Sequence, residues 1–305
     1  MNLNGLIAAP HAPFLDNFSL NCGCVMQQAE HLTTNGVLGA FVAGTTGECF
    51  SMSTNERERL FMAWGEAARE YDIRFIAHVG HNSLADAAAL VDAAKKAGAD
   101  AISAMAPFFF KPEDAGQLLD WFSTLLESSD GLPFYFYDIP AMTGVTIDTH
   151  EFVESAQAQL PGFAGVKYSN PNIDQLKRIL SMENAPEVFW GFDELFLEGM
   201  KIGCTGAVGS SYNFAARIYH RVSEAMRSGD AYEATRWQER AAKSIEIITS
   251  FGYLPAAKKI MQWIGVDCGP ARPPLVSPSD PKLEKLRAEL DEVGFFEWIN
   301  ECETA

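Results

Sequence analysis

Residues 75–105, FIAHVGHNSLADAAALVDAAKKAGADAISAM, contain one complete unit of the pattern from which the architecture follows. Two apolar runs, residues 75–79 and 101–105, flank an alanine-rich segment that begins after Ser83 and stops at Gly98. Serine favours a helix start, and glycine commonly follows the last helical turn. Neither apolar run alternates with polar residues, so each is expected to be a strand buried on both faces. The segment therefore predicts a strand, a helix and a second, parallel strand.

The same unit recurs along roughly the first 228 residues. Helical segments separate the apolar runs, and one of them opens at Ser53, where Thr54 and Glu56 complete a capping-box pattern. Eight such units predict a (β/α)8 TIM barrel, a fold that typically needs about 250 residues. The alternative is an open doubly wound sheet, but the G-x-G-x-x-G motif expected after its first strand is absent from this sequence. The predicted strands are residues 6–9, 37–43, 75–79, 101–105, 133–137, 163–168, 188–191 and 206–209.

Beyond Gly229 the strand pattern stops and only helical periodicity remains. Residues 269–274, GPARPP, predict a rigid, extended connector within this region. We therefore expect two domains: a catalytic barrel over residues 1–228 and a C-terminal helical extension over residues 229–305 that packs on the barrel. The helices predicted in the extension are residues 230–251, 255–264 and 281–290.

The composition excludes several classes of function. The 305 residues are 48% hydrophobic and carry a net charge of −17, so nucleic acid and anionic membranes are not expected partners. The apolar residues 101–110 are too short to span a bilayer, and residues 1–14 lack the basic region of a signal peptide. Six dispersed cysteines predict free thiols in a reducing compartment, and hence a cytoplasmic protein. No metal site is expected, because His78 and His81 have no accompanying acidic or cysteine cluster.

A lysine lies within the sixth predicted strand. Lys167 belongs to the segment FAGVKYS at residues 163–169. Burying an unpaired ammonium group is costly, so a lysine inside a barrel is expected to have a lowered pKa and to become a neutral amine. A neutral amine on a rigid strand can attack a ketone and form a Schiff base. The alternative is a lysine at a strand end with its ammonium group in water, and this segment alone does not choose between the two.

Two further strand ends hold polar residues, and barrel active sites lie at the carboxyl ends of strands. Thr45 and Thr46, in the GTTGE segment of residues 44–48, can bind a carboxylate through hydroxyl and backbone N–H groups. The alternative is a tight turn with a capping threonine. Tyr137 ends the fifth strand and can relay a proton at the barrel mouth; the alternative is core packing, the more common place for a strand tyrosine. Cys49 follows this GTTGE segment and is a candidate accessible thiol.

The loops after the seventh and eighth strands suggest the kind of ligand. Asp193 and Glu194 either stabilise a helix start or accept hydrogen bonds from sugar hydroxyls. Residues 203–211, GCTGAVGSS, have the composition of a phosphate-binding loop. However, the two neighbouring carboxylates would repel a phosphate, and residues 203–216 contain no lysine or arginine. A neutral polyol is therefore favoured over a phosphate.

These loops, in this order, resemble the N-acetylneuraminate lyase and dihydrodipicolinate synthase family of pyruvate-dependent class I aldolases. Residues 44–48 match the family's G-[ST]-T-G-E, residues 137–140 its Y-x-[IV]-P, and residues 165–169 its G-[LIV]-K-x-[ST]. The resemblance covers essentially the whole chain. It is closer to the sialic-acid-cleaving branch, because the synthase branch has an arginine where this chain has Met142 and a tyrosine near Phe109. Further resemblance to the cleaving branch lies in residues 106–112, 139–145, 191–194 and 206–213.

The resemblance implies a TIM-barrel lyase that reversibly cleaves N-acetylneuraminate to pyruvate and N-acetylmannosamine. It implies no metal and no organic cofactor, small-molecule partners only, and a homotetramer with loops near Phe109 at an interface. The alternatives are an aldolase for another 2-keto-3-deoxy sugar acid, a dihydrodipicolinate synthase, and a non-catalytic barrel that binds pyruvate or a sugar.

The resemblance also implies roles for individual residues. Lys167 would form the Schiff base, and Tyr137 would transfer protons. Thr45 and Thr46 would hold the pyruvyl carboxylate, and Thr46 is counted among the catalytic residues as well. The chain differs from many family members at His11, Ala12 and Asp138, whose roles the sequence does not assign. The residues expected to line the sugar site are Ser169, Gly191, Asp193, Glu194 and Ser210.

Overall fold

The eight predicted strands close into a parallel barrel in a computed structural model, which describes residues 3–300. Each strand pairs with the next one along the chain, and the eighth pairs with the first to close the barrel. The TIM-barrel prediction is therefore confirmed, and the open doubly wound sheet is wrong. The strands are β1 Leu6–Ala8, β2 Gly39–Val42, β3 Arg74–His78, β4 Ala101–Met105, β5 Phe134–Asp138, β6 Phe163–Tyr168, β7 Glu187–Trp190 and β8 Gly206–Gly209.

Helices cover the outside of the barrel and form the C-terminal region. Three-residue 3-10 turns precede three of them, at Cys22–Cys24, Cys49–Ser51 and Asp193–Leu195. Within residues 3–300 the α-helices are α1 Val25–Thr34, α2 Thr54–Tyr71, α3 Leu84–Ala97, α4 Ala115–Leu126, α5 Pro140–Thr143, α6 Thr149–Gln159, α7 Ile173–Leu180, α8 Phe196–Ile202, α9 Tyr212–Ser228, α10 Ala231–Ser250, α11 Tyr253–Trp263, α12 Asp280–Glu292 and α13 Phe295–Asn300.

The helix start and the helix end predicted at Ser53 and Gly98 are both present. The Ser53 hydroxyl accepts a hydrogen bond from the Glu56 backbone N–H at 3.2 Å, and the Glu56 carboxylate accepts one from the Ser53 N–H at 2.9 Å. This capping box begins α2. Gly98 ends α3 with a φ of 79°, a left-handed conformation that glycine adopts without strain.

Nearly every strand residue is buried, because side chains fill the barrel on one side and helices cover it on the other. The interior near the carboxyl ends contains an aromatic group formed by Phe41, His78 and Tyr137, with ring centroids 5.5–6.0 Å apart. A continuous apolar interior of this kind lowers the local dielectric, so any charged group placed in it loses hydration.

The C-terminal helices lie against the carboxyl-end loops of the last two strands. Gln238 of α10 donates a hydrogen bond to the Glu194 carbonyl at 2.9 Å and accepts one from the Leu197 N–H at 2.7 Å. α13 was not predicted; it packs against α9 and α12. Among the helices of residues 3–300, none is long and apolar enough to cross a membrane. The division into domains at residues 228 and 229 stays a prediction.

Candidate active site

The carboxyl ends of the strands surround a pocket of about 450 Å³. Its walls come from the loops after β2, β5, β6, β7 and β8 and from the C-terminal helices. The structure brings together every residue that the sequence singled out for catalysis or binding. Those residues are Thr45, Thr46, Tyr137, Lys167, Ser169, Gly191, Asp193, Glu194 and Ser210.

Lys167 lies inside the barrel near the base of this pocket. β6 pairs it with Tyr137 of β5, and its Nζ lies 3.9 Å from the centre of the Tyr137 ring and 4.1 Å from that of Phe41. Only 4% of the residue is exposed. Burial lowers the pKa of Lys167 to about 7, and the nearby Asp193 carboxylate partly opposes this shift. The free amine is therefore substantially populated at neutral pH, and the alternative of an ammonium group in water is wrong.

Tyr137 combines packing with a polar contact. Its ring packs edge-on against Phe41, and its hydroxyl lies 3.2 Å from Thr45 Oγ1. Burial raises the pKa of Tyr137 well above its ordinary value, while hydrogen bonds with Thr45 and Ser169 act in the opposite direction. The side chain is therefore a neutral phenol, which can accept a proton only while passing its own proton on.

The loop after β2 forms a tight turn that also carries two threonine hydroxyl groups. The Glu48 N–H donates to the Thr45 carbonyl at 3.0 Å, and the Cys49 N–H donates to the Gly44 carbonyl at 3.3 Å. A Cβ at Gly47 would lie 2.9 Å from the Ala43 Cα, so the turn requires glycine there. The two interpretations of the GTTGE segment are thus compatible, because the turn directs Thr45 and Thr46 to the pocket.

Asp193 connects the loop after β7 to the loop after β8. Its Oδ2 accepts hydrogen bonds from the Ser211 N–H at 2.9 Å and the Ser211 hydroxyl at 2.6 Å. Burial raises the pKa of Asp193, and the bonds from Ser211 limit the rise. A Cβ at Gly209 would lie 1.7 Å from Asp193 Oδ1, so only glycine fits at the end of β8. Glu194, by contrast, is exposed at the pocket mouth.

Sequence reasoning missed the contribution of the C-terminal helices to the pocket. The Tyr253 hydroxyl, at the start of α11, accepts a hydrogen bond from the Ser210 hydroxyl at 2.8 Å. Ile245 and Thr249 of α10 and Leu254 also line the pocket. These residues follow an ordinary helical pattern, and no local motif distinguishes them from surface positions.

His11, Asp138 and Cys49 lie outside the pocket lining. His11 is fully buried, neither ring nitrogen has a hydrogen-bond partner, and burial lowers its pKa to about 3. Asp138 accepts hydrogen bonds from Thr149 Oγ1 at 2.7 Å and Asn170 Nδ2 at 2.9 Å, which joins β5 to the start of α6 and to the loop after β6. Cys49 is buried and burial raises its pKa, so the hypothesis of an accessible thiol is wrong.

Known proteins resemble this chain over nearly its full length. A family model for the dihydrodipicolinate synthetase family matches residues 2–293. The N-acetylneuraminate lyase of Gallus gallus is 33% identical over 296 residues, which cover 95% of this chain and 96% of that protein. The N-acetylneuraminate lyase of Rattus norvegicus is 31% identical over 298 residues, covering 96% and 93%. The structure of Proteus mirabilis N-acetylneuraminate lyase superposes with a TM-score of 0.93 at 32% identity, covering 97% of this chain and 100% of that one.

The acidity of Lys167 can be measured directly. After reductive methylation with ¹³C-formaldehyde, the NMR resonance of Lys167 should titrate with a midpoint near pH 7, whereas an unperturbed lysine titrates near about 10.4. The signal is assigned by its absence from the Lys167→Arg variant.

The matched variant Asp193→Asn removes a carboxylate that favours the ammonium form, so the midpoint should fall further. A wild-type midpoint above about pH 9 would contradict the burial argument.

Proposed function

The chain belongs to the dihydrodipicolinate synthetase family, and from this premise we propose that it is a class I, Schiff-base aldolase that reversibly cleaves N-acetylneuraminate to pyruvate and N-acetylmannosamine. The observation on which the proposal rests is a lysine buried at a pocket whose lining includes hydroxyl and carboxylate side chains, with burial lowering the pKa of the lysine to about 7. The curated relatives named N-acetylneuraminate lyase support the choice of substrate.

In the first step, the free amine of Lys167 attacks the C2 ketone of the open-chain sugar acid. The ketone oxygen takes one proton from the amine nitrogen and one added proton and leaves as water, and a protonated imine remains. This cation replaces the neutral amine at the centre of the barrel, where the Asp193 carboxylate favours positive charge. The iminium group itself is the electron sink, so the scheme requires no metal and no organic cofactor.

In the second step, the C3–C4 bond breaks. The C4 hydroxyl loses its proton, C4 becomes the aldehyde carbon of the released amino sugar, and the bonding electrons form an enamine on the pyruvyl half. Tyr137 is the proposed relay, because its phenol and the Thr45 hydroxyl are adjacent and can exchange protons in sequence. The enamine is then protonated at C3, and water hydrolyses the imine to release pyruvate and free Lys167.

The two halves of the pocket suit the two halves of the substrate. Thr45 and Thr46 are proposed to bind the pyruvyl carboxylate and so to hold the neighbouring ketone at Lys167. Thr46 is also proposed as a catalytic residue. On the opposite side the proposed acceptors and donors are uncharged or acidic, which favours sugar hydroxyls over phosphate. The proposed sugar-binding residues are Ser169, Gly191, Asp193, Glu194 and Ser210.

The pocket offers no cation for a second substrate carboxylate. Of the described residues that line it, Lys167 is the one basic side chain. Met142, which lines the mouth and is 62% exposed, supplies only apolar surface where the synthase branch of the family has an arginine. These features favour sugar acid cleavage over condensation of pyruvate with aspartate semialdehyde.

We further infer a homotetramer located in the cytoplasm. Phe109 is 75% exposed and Phe110 is 87% exposed, and their rings pack against each other on the surface. Exposed aromatic pairs of this kind are typical of surfaces that bind another chain.

Light scattering should give four times the chain mass of 33.5 kDa, and the Phe109→Ser/Phe110→Ser variant should dissociate. A wild-type monomer would refute the assembly. Recovery of the protein in a membrane or secreted fraction would refute the location.

Substrate choice is tested by measuring pyruvate release from a panel of 2-keto sugar acids. N-acetylneuraminate should have the highest kcat/KM, and Lys167→Met should abolish release, because Lys167 is the one lysine among the described residues that line the pocket. Borohydride added with pyruvate should modify the wild type, and peptide mapping should find the label on Lys167.

The matched control is Lys177→Met, which removes a helical lysine of α7 that does not line the pocket and should leave release unchanged. Faster cleavage of a sugar acid without the N-acetyl group would reassign the substrate. Absence of covalent labelling by pyruvate would indicate a binding protein and refute the enzyme assignment.

Tyr137→Phe separates proton transfer from Schiff-base formation. The variant keeps the ring that packs on Phe41 and loses the hydroxyl that contacts Thr45. We expect kcat to fall by about 10²- to 10⁴-fold, the usual range for a lost acid–base group, while borohydride trapping of pyruvate persists. An unchanged kcat would show that the phenol does not act in the rate-determining step.

A further inference from the structure

A second lysine is buried in the structure and is not part of the pocket lining. Among residues 3–300 the buried lysines are Lys167 and Lys258, and Lys258 lies on α11. Its Nζ donates hydrogen bonds to Glu48 Oε1 at 2.9 Å and to the Pro270 carbonyl at 2.8 Å. The Lys258 and Glu48 side chains are 1% and 2% exposed. The pair therefore joins the barrel to the C-terminal helices in a region from which water is excluded.

Glu48 belongs to the same turn as Thr45 and Thr46. Its backbone N–H donates to the Thr45 carbonyl at 3.0 Å, and its φ of 50° is in the left-handed region that residues other than glycine seldom adopt. Its second carboxylate oxygen, Oε2, accepts a hydrogen bond from the Arg272 N–H at 2.8 Å. Both oxygens of Glu48 are thus held by the C-terminal part of the chain, and the strained turn depends on contacts from outside the barrel.

The helix that supplies Lys258 also reaches the opposite wall of the pocket. Tyr253, five positions earlier on α11, accepts a hydrogen bond from Ser210 in the loop after β8. One rigid helix therefore contacts the turn that presents Thr45 and Thr46 at one position and the proposed sugar side at another. Movement of α11 would change the spacing of the two walls.

We propose that Lys258 is a positioning residue that, through Glu48, holds Thr45 and Thr46 where they bind the substrate carboxylate. The inference rests on the proposed function, because it assigns the carboxylate to these threonines. A buried ion pair is often replaceable by apolar side chains without loss of stability. The stability of the protein is therefore not the property that tests this pair. The test is whether the Lys258–Glu48 pair fixes the position of the turn.

The proposal is tested by the pyruvate concentration that gives half-maximal borohydride trapping on Lys167. In Lys258→Met the turn loses its side-chain anchor and keeps only the hydrogen bond from the Arg272 N–H. The half-saturating concentration should then rise by about tenfold or more, since small displacements at a site have effects of this size or larger. The double variant Glu48→Gln/Lys258→Met leaves no unpaired buried charge, so it should fold even where the single variant does not. It should show the same rise in half-saturating pyruvate.

A third variant, Glu48→Asp, keeps the charge but shortens the reach to Lys258 by one methylene group. It should raise the half-saturating pyruvate concentration at nearly unchanged unfolding temperature. Leu290→Ala is the control, because it removes a buried side chain of α12 without touching the turn. It should lower the unfolding temperature and leave half-saturating pyruvate unchanged.

The outcomes separate this inference from the proposed function. If wild-type protein is not labelled by pyruvate, the proposed function fails. If the wild type is labelled but the double variant and Glu48→Asp half-saturate at the wild-type concentration, the positioning role is overturned and the function stands. An equal rise in Leu290→Ala would also overturn the positioning role, because general loosening would then explain the effect.

Discussion

Removal of water from the Lys167 amine is the constraint on which the site depends. The barrel closes around this group, and the rings of Phe41 and Tyr137 lie within about 4 Å of its nitrogen. Loss of hydration costs the ammonium form more than the amine form, and the pKa falls to about 7 as a result. The same burial keeps Tyr137 a phenol. A single physical effect therefore favours a neutral amine and a neutral phenol side by side, and the parallel register of β5 and β6 pairs the two residues.

The Asp193 carboxylate lies near this amine, and its own surroundings limit its effect on the pKa of Lys167. Asp193 lies close enough to favour the protonated lysine, yet one of its oxygens is saturated by Ser211. Burial raises the pKa of Asp193, so its influence on Lys167 is moderated by its own surroundings. A carboxylate closer to Lys167 would raise the pKa of the lysine, hold it as an ammonium ion and reduce its nucleophilicity. The proposed intermediate is a protonated imine, and the same carboxylate would stabilise its positive charge.

Much of the architecture could be predicted from local patterns, since apolar runs without alternation are typical of strands covered on both faces. β4, β6 and β8 begin and end where the sequence predicts, and Ser53 and Gly98 bound their helices as expected. The loops after β2, β5 and β6 could also be identified, because they follow strands directly. Tyr253 could not be identified in this way. Its position beside Ser210 results from packing between segments 43 residues apart in the chain.

The sequence by itself determined the order of strands and helices, the presence of a lysine on the sixth strand, and the polar residues at the strand ends, because each of these depends on neighbours within a few positions. Only the tertiary structure decided the protonation of that lysine, the burial of Cys49, and the pairing of Glu48 with Lys258 across 210 residues. These properties depend on how much water is excluded and on which distant side chains meet. Both quantities arise when the barrel closes and the C-terminal helices pack against it, and neither exists in the linear chain.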